Sequence, residues 1–225
     1  MNTPLHKSKS GVPKRWLRYR LWLSIAYAAV WALSAINPKH PADWLLENAL
    51  TIVFATIFLV TWRRFCFSPL THVLIFLFLT LHAVGSHYTY AEVPYDQWSV
   101  ALTGTSIDEF FGFQRNHFDR LVHFCYGLLL VYPAREALVR WAGLRGFWGY
   151  FIPLDLTMST SMLYELIEWA AAEAFGGELG QAYLGTQGDV WDAHKDMALA
   201  SLGALIATLL ARALRDRIKA SWAKQ

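Results

Sequence analysis

The chain has 225 residues, of which 55% are hydrophobic, 16% aromatic and only 16% charged, and its mean hydropathy is positive. So little charge over this length argues against a soluble globular domain and for a polytopic membrane protein. The net charge of +3 comes from clumped Lys and Arg, and no basic stripe interleaved with aromatics points to a nucleic-acid partner.

Residues 1–20 are polar and basic, with Lys7, Lys9, Lys14, Arg15, Arg18 and Arg20. They read as a cytoplasmic N-terminal segment. An apolar run, Leu21–Ile36, follows and stops at Asn37-Pro38; without a small-residue cleavage site it reads as a retained signal anchor. A second run covers Trp44–Trp62 and closes with Arg63-Arg64, and a third covers Leu70–Tyr90. Residues 91–117 form a polar loop long enough for a short interfacial helix. The fourth run starts at Asp119 and ends near Ala134, before Arg135, Arg140 and Arg145. The fifth covers Phe147 to about Ala174, where Pro153 and Asp155 predict a break or kink in the first third. The sixth starts near Asp189 and ends at Arg212, ahead of Arg215, Arg217 and Lys219.

Each run is near the 17–25 residues that cross a bilayer. The basic clusters precede the first run, follow the second, separate the fourth from the fifth, and follow the sixth. Six spans with both termini cytoplasmic put all of them on one side, as the positive-inside rule requires. The expected fold is therefore an all-α bundle of about six transmembrane helices over residues 21–212, with a basic cytoplasmic tail at 213–225. Cys66 and Cys125 are far apart, lack metal-type spacing and read as apolar fillers.

That topology gathers the polar residues at the outer ends of the spans. The third run contributes His82, His87 and Glu92. The fourth begins with Asp119 and His123, one turn apart, beside Arg115, His117 and Arg120. The fifth ends with Glu165 and Glu168, and the sixth starts with Asp189, Asp192 and Asp196, expected within roughly 60° on one helical stripe. Asp196 lies about 10 Å along its helix from Asp189, and Glu165 about 10 Å before the end of its own. Both then sit below the headgroups, where an ionised carboxylate facing lipid costs on the order of 2.5–3.5 kcal/mol. The carboxylates Asp119, Glu165, Glu168, Asp189, Asp192 and Asp196 outnumber the nearby cations Arg115, Arg120 and Lys195. Protons, histidines or a divalent ion must supply the balance.

Mixed carboxylate and imidazole donors suit Zn, Mn or Fe, and carboxylates alone suit Mg, Ca or Mn. The candidate metal ligands are Asp119, His123, Glu165, Asp192 and Asp196, with Glu168 or Asp189 as general base and His82, Arg120 and Lys195 in support. Plainer accounts stand beside these. Asp189 alone reads as an N-cap, and Asp192 and Asp196 could pair with Arg120 or Lys195. His87 could be interfacial, and His194 points away from the aspartate stripe. Ala200, Gly203, Ala204 and Ala207 form a close helix-packing face.

His82-x-x-Gly85-x-His87-Tyr88-Thr89-Tyr90, Asp119-Arg120-x-x-His123-Phe124, Tyr164-Glu165-x-x-Glu168-Trp169 and Gln187-Gly188-Asp189-x-Trp191-Asp192-x-x-x-Asp196-Met197 resemble segments of the YjdF-like bacterial inner-membrane proteins. The resemblance runs from about residue 20 to 212 and implies a multi-pass bacterial inner-membrane protein, without implying an activity. A looser similarity is to membrane hydrolases of the alkaline ceramidase and progestin-adiponectin-receptor type, which hold zinc with intramembrane His and Asp. The chain lacks their paired His-x-x-x-His near the C-terminus.

Three functions remain open on the sequence. One is a metal-dependent membrane hydrolase acting on a lipid-linked, envelope or small-molecule substrate at the outer leaflet. Another is a cation or proton-coupled transporter, whose path would continue through Asp155. The third is a scaffold in which each charge pairs internally. Beyond the lipid bilayer, the sequence names no protein partner.

Overall fold

The computed structural model describes residues 14–61, 67–177, 180 and 184–214. Lys7, Lys9, Trp62, Arg63, Arg64, Cys66, Arg215, Arg217 and Lys219 lie outside the described residues. Among the described residues, every regular element is helical: α1 Lys14–Ser34, α2 Pro41–Thr61, α3 Pro69–Tyr88, α4 Tyr95–Thr103, α5 Ile107–Phe111, α6 Phe118–Trp141, α7 Trp148–Phe175 and α8 Asp192–Ala213. Six of them are long, at 20 to 28 residues. Two, α3 and α8, are long and apolar enough to cross a membrane by length and composition alone.

The packing is inverted relative to a soluble bundle. On α8 the buried stripe is Ala200, Gly203, Ala204, Ala207 and Ala211, while Leu202, Leu205 and Leu209 are about half exposed. Small residues turned inward and large apolar ones turned outward suit an apolar solvent, in which close backbone approach rather than hydrophobic exclusion holds helices together. Against that stripe lies α6, with α7 on a second side and α3 beyond; α1 packs on α3.

Several boundaries differ from the sequence reading. The described part of α1 takes in Lys14, Arg15, Arg18 and Arg20, so this part of the basic stretch is helical. The fourth run does not stop near Ala134: α6 passes through Pro133 to Trp141. A tertiary contact accounts for the extension. Glu136, wholly buried, accepts hydrogen bonds from the Ser68 N–H at 2.7 Å, the Ser68 hydroxyl at 2.6 Å and the Thr71 hydroxyl at 2.5 Å, all at the start of α3. Arg140 adds a fourth at 2.6 Å.

Pro153 does not break α7 either; the helix is continuous through it. Being the sixth residue, Pro153 lies past the four N-terminal N–H groups that have no intrahelical partner, so it forgoes one bond, to the Gly149 carbonyl, without interrupting the helix. The loop 91–117 holds two short helices, α4 and α5, where one was expected. Finally, Asp189 is not on α8, which begins at Asp192 with Trp191 as its N-cap. Asp189 occupies the preceding turn, and its carboxylate accepts the Trp191 N–H at 3.1 Å.

Candidate functional site

Glycine sets the site's geometry. A Cβ on Gly127 of α6 would stand 1.8 Å from the Ala200 carbonyl oxygen, and one on Gly203 of α8 would stand 2.2 Å from that of Phe124. The two backbones therefore touch, and the residues one or two turns toward their N-termini are driven together. Asp119 and His123 from α6 and Asp196 from α8 meet there. They offer one ligand atom each, all within 4.8 Å of one another. α7 supplies a fourth group: His123 Nε2 lies 3.5 Å from Asp119 Oδ1 and 3.5 Å from Glu165 Oε1.

Two oxygens in this cluster are orphans. Asp196 is 2% exposed, and its Oδ1, like Glu165 Oε1, is buried with no hydrogen-bond partner among the described residues. A buried acceptor left unpaired costs about 1–3 kcal/mol, more if charged. Two acceptors are thus left that a proton or a cation could meet.

The remaining candidates separate from this core. Asp192 turns to Arg115 Nη1 at 2.6 Å and Arg120 Nη2 at 3.3 Å. Asp189 is held by Arg120 and by Lys195, the latter at 2.6 Å. Arg115 also donates to the Thr186 carbonyl at 2.8 Å, and Asn116 and Gln187 exchange two bonds of 3.0 Å. Together these contacts form an ion-paired clasp that fastens the start of α6 to the turn before α8.

The Lys195 ammonium, then the Trp191 N–H and the Arg120 guanidinium, hold the Asp189 carboxyl well below the usual carboxylate range. Lys39 likewise lowers Glu92, and burial followed by a hydrogen bond to Asp108 pushes the Tyr95 hydroxyl up to about 12.

His82 does not reach the cluster through a free nitrogen, since both ring nitrogens are engaged. Nε2 meets the Thr51 hydroxyl at 2.9 Å and Nδ1 the Tyr90 hydroxyl at 2.5 Å. Tyr90 gets there at a conformational cost. Thr89 and Tyr90 have φ of 59° and 33°, and the ring folds back onto Gly85, where a Cβ would stand 2.5 Å from Tyr90 Cε1. Consecutive non-glycine residues with positive φ persist only where the surroundings over-determine them. His87, in the last turn of α3, bonds through Nδ1 to the Ser34 carbonyl at 2.9 Å, tying α3 to α1.

A carboxylate that the sequence reading passed over belongs here. Glu47 of α2 is buried and accepts the Tyr164 hydroxyl at 2.9 Å. Its signal was available, because Asp43, Glu47 and Thr51 repeat every four residues in an apolar run and so share one helical face.

Two cavities flank the cluster. One of about 400 Å³ lies between α2, α3, α6 and α7, with Glu47, His82, Tyr90, Asp119 and His123 among its polar lining, and with Leu50, Phe54, Phe78, Leu130 and Leu163 among its apolar walls. Another of about 340 Å³ lies between α7 and α8 and is lined by Glu165, Glu168, Asp192, His194 and Asp196. Asp119 lines both. Among the described residues, no Arg or Lys lines either one.

The profile of a family described as predicted membrane protein (DUF2238) matches residues 19–217. The chain belongs to this family. Within the DUF2238 family it is similar to the inner membrane protein YjdF of Escherichia coli (strain K12), with 42% identity over 173 residues, covering 76% of this chain and 78% of that relative. No solved structure matches. Membership and the inverted packing agree: this DUF2238 protein is a membrane protein of the inner membrane.

Proposed function

We propose that the chain crosses the inner membrane six times with both termini cytoplasmic. In this reading, Asp119, His123 and Asp196 hold a divalent cation near the outer side for hydrolysis of a membrane-embedded substrate. The observation that carries the reading is the pair of orphaned oxygens, Asp196 Oδ1 and Glu165 Oε1, at a three-ligand cluster beside a cavity. Three protein ligands and an open position are what a catalytic Zn site uses. A cation so held would lower the pKa of a bound water and polarise a carbonyl.

Glu165, adjoining His123, is placed to accept the water's proton, and the first cavity admits the scissile bond beside Asp119 and His123. Glu168 lines the second cavity, from which water can reach the same group. Asp189, occupied by Lys195 and Arg120, has no part in the chemistry.

The charge distribution supports a site over a scaffold. A scaffold calls for an Arg or Lys within about 4 Å of each carboxylate. Asp189 and Asp192 have such partners. Among the described residues, Asp119, Glu165 and Asp196 have none. A transporter would need the polar lining to continue inward, yet Asp155 lies exposed on α7 and lines none of the described cavities.

The test is elemental analysis of the detergent-purified chain after equilibration with zinc, manganese and magnesium. About one metal per chain is expected, falling at least tenfold in Asp196→Asn and His123→Ala and unchanged in Asp192→Asn. Wild type without metal, or equal loss in Asp192→Asn, overturns the assignment.

A further inference from the structure

The 400 Å³ cavity between α2, α3, α6 and α7 has hydroxyls in its wall, and most are bonded to one another or to a neighbour. Thr51 and Tyr90 meet the two ring nitrogens of His82. Tyr164 donates to Glu47, and Tyr126 and Thr160 share a bond of 2.5 Å. Ser161, halfway along α7, is the exception. It is 2% exposed, and its Oγ has no hydrogen-bond partner among the described residues.

The helix itself explains why. A buried helical Ser or Thr commonly turns its hydroxyl to the carbonyl four residues back, as Ser201 does to Met197 at 2.7 Å and Thr157 does to Pro153 at 2.8 Å. For Ser161 that acceptor is the Thr157 carbonyl, and the Thr160 hydroxyl already stands 3.1 Å from it. A carbonyl has two lone pairs, one of which serves the helical N–H. Ser161 is thus left with a donor to give, in the wall of a cavity.

Its position relates it to the cluster. Ser161 and Glu165 lie four residues apart on one face of α7, about 6 Å along the helix axis. Glu165 adjoins His123 at 3.5 Å, and His123 and Asp119 line the same cavity. Around them the wall is apolar, with Leu50, Phe54, Ile75, Phe78 and Leu130, and the volume is that of a ligand-sized site. An ester carbonyl accepts one hydrogen bond and brings no donor of its own, so it leaves no polar hydrogen unmet against such a wall. A hydroxyl, amine or amide brings at least one, and burying it unpaired is costly.

We infer that this cavity binds an ester-linked acyl chain, with the Ser161 hydroxyl donating to the ester carbonyl oxygen. The inference rests on the site reading above, which makes this ester the bond to be hydrolysed.

The experiment titrates the detergent-purified full chain with 2-dodecanone, whose carbonyl cannot be hydrolysed, and with dodecane and 1-dodecanol. Apparent affinity is read from thermal stabilisation. Ser161→Ala is expected to weaken the ketone about fivefold, the worth of one neutral hydrogen bond, and dodecane by less than about twofold. Leu163→Trp, at the half-exposed mouth of the cavity, should weaken ketone and hydrocarbon alike. Ketone affinity indifferent to Ser161→Ala, a larger loss for 1-dodecanol than for the ketone, or binding untouched by Leu163→Trp overturns the inference. Zinc content, measured in the same samples, should match wild type in both variants, because neither residue belongs to the Asp119–His123–Asp196 trio. Wild type without zinc would count against the metal site alone, so the two failures are told apart.

Discussion

Asp189 and Asp196 are seven residues apart in sequence and opposite in circumstance. Asp189 is gripped by Lys195, Arg120 and the Trp191 N–H, while Asp196 keeps an unpaired oxygen in the interior. Spacing alone could not separate them, because the separation depends on Arg115 and Arg120 reaching across from α6, a contact between residues some 70 positions apart. The consequence for Asp189 has a definite sign. Its carboxyl is held below the ordinary value of 3.8 by cationic partners. The stabilisation is therefore full above 3.8 and fades as the pH falls from there through the lowered folded value. Melting curves of wild type and Asp189→Asn should thus differ at neutral pH, with the variant less stable, and converge in strong acid. A constant gap between the curves down to the lowest pH would show that the clasp does not act through charge.

At the level of the helix, the α6–α8 contact fixes the cluster, and it was the most legible element in the sequence. Ala200, Gly203, Ala204 and Ala207 repeat at the spacing of one helical face, and that face is the buried one. Less legible were the helix ends. Basic residues that mark the edge of an apolar run do not end a helix, as the continuation of α6 through Arg135 and Arg140 demonstrates. Glu136, which anchors that continuation to Ser68 and Thr71, gave no sign of its partners in its own neighbourhood.

Gly127→Ala makes the packing testable. Alanine is the better helix former, yet its Cβ would collide with the Ala200 backbone. A loss of about 1–3 kcal/mol is expected from this overpacking, seen as a lower melting temperature. Metal should fall with it as His123 and Asp196 are pushed apart. Gly149→Ala, whose nearest neighbour would be the Val139 Cγ2 methyl at 3.4 Å, is the matched control and should be tolerated. Equal tolerance of both substitutions would remove the close contact as the organiser of the site.

For the whole molecule, the side of the membrane on which the site lies decides what can reach it. The loop bearing α4 and α5 joins the end of α3 to the start of α6, next to Asp119, whereas Gly143–Gly146 turns the chain at the opposite end of α6. In the topology proposed above, the positive-inside rule assigns the second of these, with Arg140 and Arg145, to the cytoplasm, and the first loop, the ion-paired clasp and the cluster would then face the periplasm.

Two cysteine variants in a Cys66→Ser, Cys125→Ser background separate the sides. Leu102→Cys on α4, at a residue 85% exposed, should react with a membrane-impermeant maleimide in cells whose outer membrane alone has been opened. Arg145→Cys, also exposed, should react only after the inner membrane is breached. Labelling of both at the same stage would put an even number of crossings, or none, between them. Labelling in the reverse order would turn the bundle over and place the carboxylate cluster at the cytoplasmic face. An inverted bundle would keep every distance within the site and change only the pool of substrates it meets. Orientation is therefore a separate determinant of function from the geometry of Asp119, His123 and Asp196.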